Sequence, residues 1–132
     1  MRQFHPELPL FTAAGAAAVS AYALMVSDFN NVSLRLDTSG SAACTIKIYG
    51  SMSEVKPDFS AAKTASNRWD TVDIVQLNAT GSVIAGDTGI VLTTTDENAN
   101  YELNVNNLRW VSAEITAWSA GAITLLGSAS QV

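Results

Sequence analysis

Residues 101–118, YELNVNNLRWVSAEITAW, decide how the chain is read. Tyr101, Leu103 and Val105 alternate with Glu102 and Asn104. Val111, Ala113, Ile115 and Ala117 then alternate with Trp110, Ser112, Glu114, Thr116 and Trp118. A period of two places one side of a strand in a core and leaves the other for water or a partner. Asn tolerates the left-handed region, so Asn106-Asn107 reads as the turn of a hairpin. Two tryptophans fall on the face that should be wet.

The same alternation recurs outward from this stretch. Val32, Leu34 and Leu36 alternate with Ser33, Arg35 and Asp37; Cys44, Ile46 and Ile48 alternate with Thr45, Lys47 and Tyr49. Thr38-Ser39-Gly40-Ser41 between them reads as a turn, giving a second hairpin or nearby antiparallel pair. Further strands are expected at about 19–26, 69–77, 90–94 and 122–126. The tail from Gly127 is expected to fray, and Ser51–Asn67 forms a long aperiodic segment of the kind that carries function or contacts. About eight short strands with regular turn signals and no convincing long helix indicate an all-β fold: a single antiparallel β-sandwich, jelly-roll-like, over residues 19–132. Residues 1–18 read as an extended N-terminal arm. Pro6 and Pro9 block a helix interior, and the alanines that follow are extended or loosely helical.

At 132 residues the chain is one domain, large enough for a core without disulfides or metal. Charged residues are only 14%, against a usual quarter, and the net charge is −5. Two readings of so few charges stand equally: a surface packed against neighbours, or a β-rich domain with Ser- and Thr-lined strands. The seven Lys and Arg are scattered in sequence, which argues against nucleic acid. Glu7 and the prolines argue against a signal peptide, and no run of strongly apolar residues is long enough to span a membrane. The product is expected to be made and left in a cytoplasm.

No catalytic set is legible. His5 is the sole histidine and reads as an arm residue. Cys44 is in phase with Ile46 and Ile48 and reads as core. The acids gather as Asp70 with Asp73, Asp87, and Asp96 with Glu97. They could serve Ca²⁺ or glycoside chemistry, but turn chemistry accounts for them better. No cofactor, metal or enzymatic activity is expected. The aromatics carry more: Trp69, Trp110 and Trp118 could stack on sugars, bury themselves in a subunit interface, or close the ends of the same sandwich.

Three phrases, VSDFNNVSLRLDTSG (26–40), NRWDTVDIVQLNATGSVIAGDTGIVLT (67–93) and YELNVNNLRWVSAEITAW (101–118), resemble small β-sandwich structural proteins of tailed bacteriophages, such as capsid decoration and other virion-associated proteins. The resemblance covers about Val26 to Leu126 and implies a non-enzymatic virion subunit with no active site to carry over. Expected partners are further copies of itself, a trimer being one option, and the major capsid protein or another virion protein. The alternative is a carbohydrate- or receptor-binding module of a tail or fibre. Expected contact residues are Phe4, Leu8, Leu10 and Phe11, in an arm laid across a neighbour, together with Tyr49, Trp69, Trp110 and Trp118.

Overall fold

The computed structural model describes residues 3–4, 6–77 and 81–131. They form eleven strands and no helix. The strands are β1 (Gln3–Phe4), β2 (Leu8–Ala14), β3 (Ala18–Val19), β4 (Leu24–Met25), β5 (Asn31–Ser51) and β6 (Asp70–Thr71). After them come β7 (Ile74–Gln76), β8 (Val83–Ile84), β9 (Ile90–Thr93), β10 (Asn98–Asn104) and β11 (Trp110–Gln131). All pair antiparallel in one sheet.

Two strands carry the architecture. β5 and β11 pair with each other from Trp110↔Ser51 to Ser130↔Asn31. A straight strand of 21 residues would be about 70 Å long. These strands are bent instead. Gly40 (φ 76°) and Ser41 (φ 54°) turn β5; Ala117 (φ 49°) and Gly121 (φ 92°) turn β11, where the register shifts between Thr116 and Ala122. Bulges kink a strand in this way without ending its pairing. Both ends of β5 then return to one short segment. The Val105 N–H donates to the Asn30 carbonyl at 3.2 Å, and the Arg109 N–H donates to the Ser51 carbonyl at 2.8 Å. Four peptide links reach no more than about 15 Å, so the sheet is folded double at a corner near residues 38–42 and 117–121.

The result is a sandwich whose two layers are halves of one sheet. The first layer holds β1, β2, the second half of β11, the first half of β5, β10, β7 and β8. The second holds β3, β4, the first half of β11, the second half of β5, β6 and β9. Between them lies a single core. Val32, Leu34 and Leu36 from one half of β5 and Ile46 and Ile48 from the other are all at most 1% exposed, as are Val111, Ile115, Ile123 and Leu125 of β11. Cys44 is buried among them, as its phase predicts, and burial pushes its thiol pKa up.

The all-β class and the inward faces agree with the sequence; the connections do not. Thr38–Ser41 is a corner inside β5, because β11 bulges opposite it and keeps the ladder intact. Asn106-Asn107 closes no hairpin: β5 lies between β10 and β11. Residues 105–109 carry the chain from one layer to the other, starting with an Asx-type bond from the Asn106 N–H to Asn104 Oδ1 at 3.0 Å. The expected strand at 69–77 is likewise split, β6 pairing with β5 in one layer and β7 with β10 in the other. The expected strand at 19–26 becomes β3 and β4, both along β11. The tail, expected to fray, continues β11 as far as Gln131, with Ala129 and Ser130 buried.

The N-terminal segment is part of the sheet and not a free arm. β2 pairs with β11 and buries Leu10 and Phe11 in the chain's own core. Pro9 lies on an edge strand next to a register shift, the setting in which a sheet accommodates proline. Leu8 stays exposed. His5 and the Phe4 side chain lie outside the described residues.

Asp96 fastens the corner. Its carboxylate accepts the Ala42 N–H at 3.0 Å, the Ser41 N–H at 3.2 Å and the Thr38 hydroxyl at 3.3 Å. The bond from Ala42, then those from Ser41 and Thr38, hold its carboxyl below the ordinary aspartate pKa. A carboxyl depressed in the folded state contributes stability above its unfolded pKa of about 3.9, and that contribution is lost as pH falls through the lower folded value. Denaturant unfolding between pH 7 and pH 2 should show stability falling below about pH 4. Asp96→Asn should be less stable at pH 7, and its stability should fall less as pH drops below 4.

Candidate functional site

The outward side of the second layer carries Lys47, Tyr49 and Ser51 from β5 beside Glu114, Ser112 and Trp110 of β11, which face them in register. Alternation assigns this side to water or a partner. Much of it is covered by the chain itself. Residues 52–69, which take in most of the aperiodic Ser51–Asn67 stretch, fold back over it as a lid. Tyr49 is only 5% exposed, its ring 4.4 Å from that of Trp69 and 6.4 Å from that of Phe59. Its hydroxyl donates to the Glu114 carboxylate. Burial first, then the bond to Glu114 and the charge of Glu114, push the Tyr49 pKa well above the ordinary tyrosine value.

Polar bonds hold the lid in shape. The Asn67 amide nitrogen donates to the Asp58 carbonyl at 2.9 Å and the Ala62 carbonyl at 3.2 Å, while its oxygen accepts the Asp58 N–H at 2.8 Å. The Ser51 hydroxyl donates to the Arg68 carbonyl at 2.6 Å, and the Trp69 indole N–H donates to the Ala61 carbonyl at 3.1 Å. Trp69 is therefore a fixed wall.

A groove of about 690 Å³ opens between the lid and the crossing segment at Leu108. It is lined by Ser51, Met52, Lys63, Arg68, Trp69 and Leu108, among others, with Asp70 at its side. Lys63 Nζ lies 3.0 Å from Asp70 Oδ1 and 5.9 Å from the Trp69 ring centre. That ammonium, then the Thr71 N–H, hold the Asp70 carboxyl below its ordinary pKa. Arg68 spends its Nε–H on the Ala65 carbonyl at 3.0 Å. Its two terminal nitrogens have no partner among the described residues.

Folding also gathers cations that look scattered in the sequence. Lys47 lies on the covered side, Lys56, Lys63 and Arg68 in the lid, and Arg109 beside it in a 3.8 Å pair with Glu54.

The other expected contact residues are dispersed. Trp118 sits at the corner, packs against the core and donates its indole N–H to the Gly121 carbonyl at 3.0 Å. Trp110 is half-buried, and its indole nitrogen is buried without an acceptor among the described residues. The two tryptophans therefore do not form one platform; the Ala117 bulge breaks the alternation between them. Nor do the acids form one centre. Asp70 pairs with Lys63, Asp73 accepts the Gly86 N–H at 2.7 Å, and Asp96 holds the corner. Among the described residues no group of three or more His, Cys, Asp or Glu is placed to hold a metal ion.

Sequence reasoning missed Phe59, Lys63 and Arg68. The one available signal was the length of the aperiodic stretch that holds Phe59 and Lys63 and ends beside Arg68.

No protein-family model and no curated protein sequence matches the chain. Solved structures do resemble it. The SPBc2 prophage-derived protein YomS superposes with a TM-score of 0.69 at 14% identity, over 99% of this chain and 96% of that one. The PBSX exported protein XepA superposes with a TM-score of 0.71, also at 14% identity, over 98% of this chain. The chain spans 38% of XepA. At such identity the likeness is one of fold: the doubled sheet is the architecture of a whole prophage-derived protein and of a part of a larger exported one.

Proposed function

We propose that this protein is a non-enzymatic structural component of a bacteriophage particle, made in the host cytoplasm. Within that class it is a capsid decoration or stabilising subunit that associates with copies of itself and with the shell. The observation that carries the reading is the end-to-end fold likeness to a prophage-derived protein, with 99% of one chain laid on 96% of the other. The surface supports an assembling role. Met25 shares a row with Trp110 and Ser51, Met52 follows Ser51, and Met25, Met52, Val55 and Tyr22 are all strongly exposed. Apolar side chains gathered on one side of a small domain are characteristic of contact surfaces.

The test is fractionation of phage particles from a lysate that expresses the protein. We expect it to sediment with intact particles and, when purified, to have a solution mass that is a multiple of the monomer. A protein that stays monomeric at high concentration and remains at the top of the gradient would refute the reading.

A further inference from the structure

We infer that the groove beside Trp69 binds an acidic saccharide, a uronic-acid unit whose carboxylate meets Arg68 and whose ring lies along Trp69, Met52 and Leu108. The volume of about 690 Å³ falls in the range of small-molecule sites. The wall is rigid before any ligand arrives, because Trp69 is held by the Tyr49 ring and by its bond to the Ala61 carbonyl. Arg68 is oriented by its Nε–H bond to Ala65, which leaves its terminal nitrogens directed to other acceptors. A guanidinium held in this way suits a carboxylate, which it can meet through two parallel hydrogen bonds.

Asp70 selects among anions. Its carboxylate lies in the same groove, with Oδ1 taken by Lys63 and the Thr71 N–H. A compact dianion such as phosphate would be repelled by that charge. A uronate keeps its single charge at one end and presents neutral hydroxyls elsewhere, and hydroxyls can donate to Asp70 and accept from Lys63. The C–H surface of the sugar ring matches the apolar side chains Met52 and Leu108. The groove shares Met52 with the exposed apolar surface of the assembly reading but uses none of Met25, Val55, Tyr22 or Trp110.

The experiment is an amide NMR titration of the full-length protein with trigalacturonate, neutral maltotriose and sodium phosphate at matched ionic strength. Trigalacturonate should shift the resonances of Ser51–Ser53 and Arg68–Asp70 and saturate. Maltotriose and phosphate should bind at least about tenfold more weakly, the loss expected when a charge-assisted bond is removed or opposed. Arg68→Gln should weaken trigalacturonate by about tenfold or more while leaving the rest of the spectrum in place. Arg68→Lys, which keeps the charge and loses the fork, should fall between. If trigalacturonate produces no shift, or Arg68→Gln and Arg68→Lys bind it like the parent, the inference is wrong. Phosphate binding equal to that of trigalacturonate would reduce the groove to a plain anion site and overturn the saccharide assignment. Each of these outcomes is readable whether or not the protein is found on particles.

Discussion

Gly121→Ala should destabilise the protein by on the order of 2–6 kcal/mol. Two costs add at this position. Its φ of 92° lies in the region that side chains rarely adopt, and holding a non-glycine residue there costs about 1–3 kcal/mol. A Cβ would also stand 2.5 Å from the Ala42 Cα and 2.8 Å from the Ser39 carbonyl oxygen. Both are backbone atoms of the bend in β5, so relief requires the corner itself to open, and overpacking of this kind costs a further 1–3 kcal/mol or so. The Trp118 bond to the Gly121 carbonyl would be disturbed as well. Urea unfolding measures the loss. A neutral result would mean that the doubled sheet is not locked at this point. Exposed positions on the same strand, Ala117 excepted for its own positive φ, should tolerate substitution within about 0.5 kcal/mol.

Tyr49→Ala should cost about 3–4 kcal/mol and release the lid. The side chain is almost fully covered and contacts both aromatic rings that the lid contributes. Its removal leaves a cavity under Trp69 and Phe59 and strips the Glu114 carboxylate of its hydroxyl partner. Tyr49→Phe separates the two effects. It keeps the ring contacts and loses the hydroxyl, for a cost of about 1–2 kcal/mol. Limited proteolysis gives an independent readout: residues 52–68 should become cleavable in Tyr49→Ala under conditions in which Tyr49→Phe stays intact. If both variants are cut at the same rate as the parent, the lid is held by its own Asn67 and Asp58 bonds and not by Tyr49.

Both predictions concern places where local sequence signals mislead. Gly40-Ser41 has the composition of a turn and adopts turn-like dihedrals, yet the strand continues through it. A ladder survives such a bend only if the partner strand bends at the same point, and that partner is about eighty residues away. Nothing within a window of a dozen residues around Gly40 reports that Ala117 and Gly121 will lie opposite. The fate of Tyr49 is hidden for a different reason: the residues that cover it come from an aperiodic stretch and its far edge. Its phase is outward, and only the return of Phe59 and Trp69 over it makes it an interior residue.

The candidate groove was still less legible. Of its two cations, Lys63 sits in the stretch without periodicity and Arg68 just past its end, where no template assigns a face. Trp69 was singled out as an aromatic, but its neighbours in space come from the lid, from β5 and from the 105–109 crossing.

Alternation alone determined the fold class and the inner faces of the long strands. That signal is local: period two places Leu34, Ile46, Leu103 and Ile115 on the buried side of a strand whatever that strand pairs with. Pairing partners, the corner, the covered outer side of the second layer and the gathering of five cations there were decided only by the tertiary structure. Each depends on contacts between residues far apart in the chain, and backbone hydrogen bonds, which any uncharged strand edge can make, carry no sequence label that names the partner.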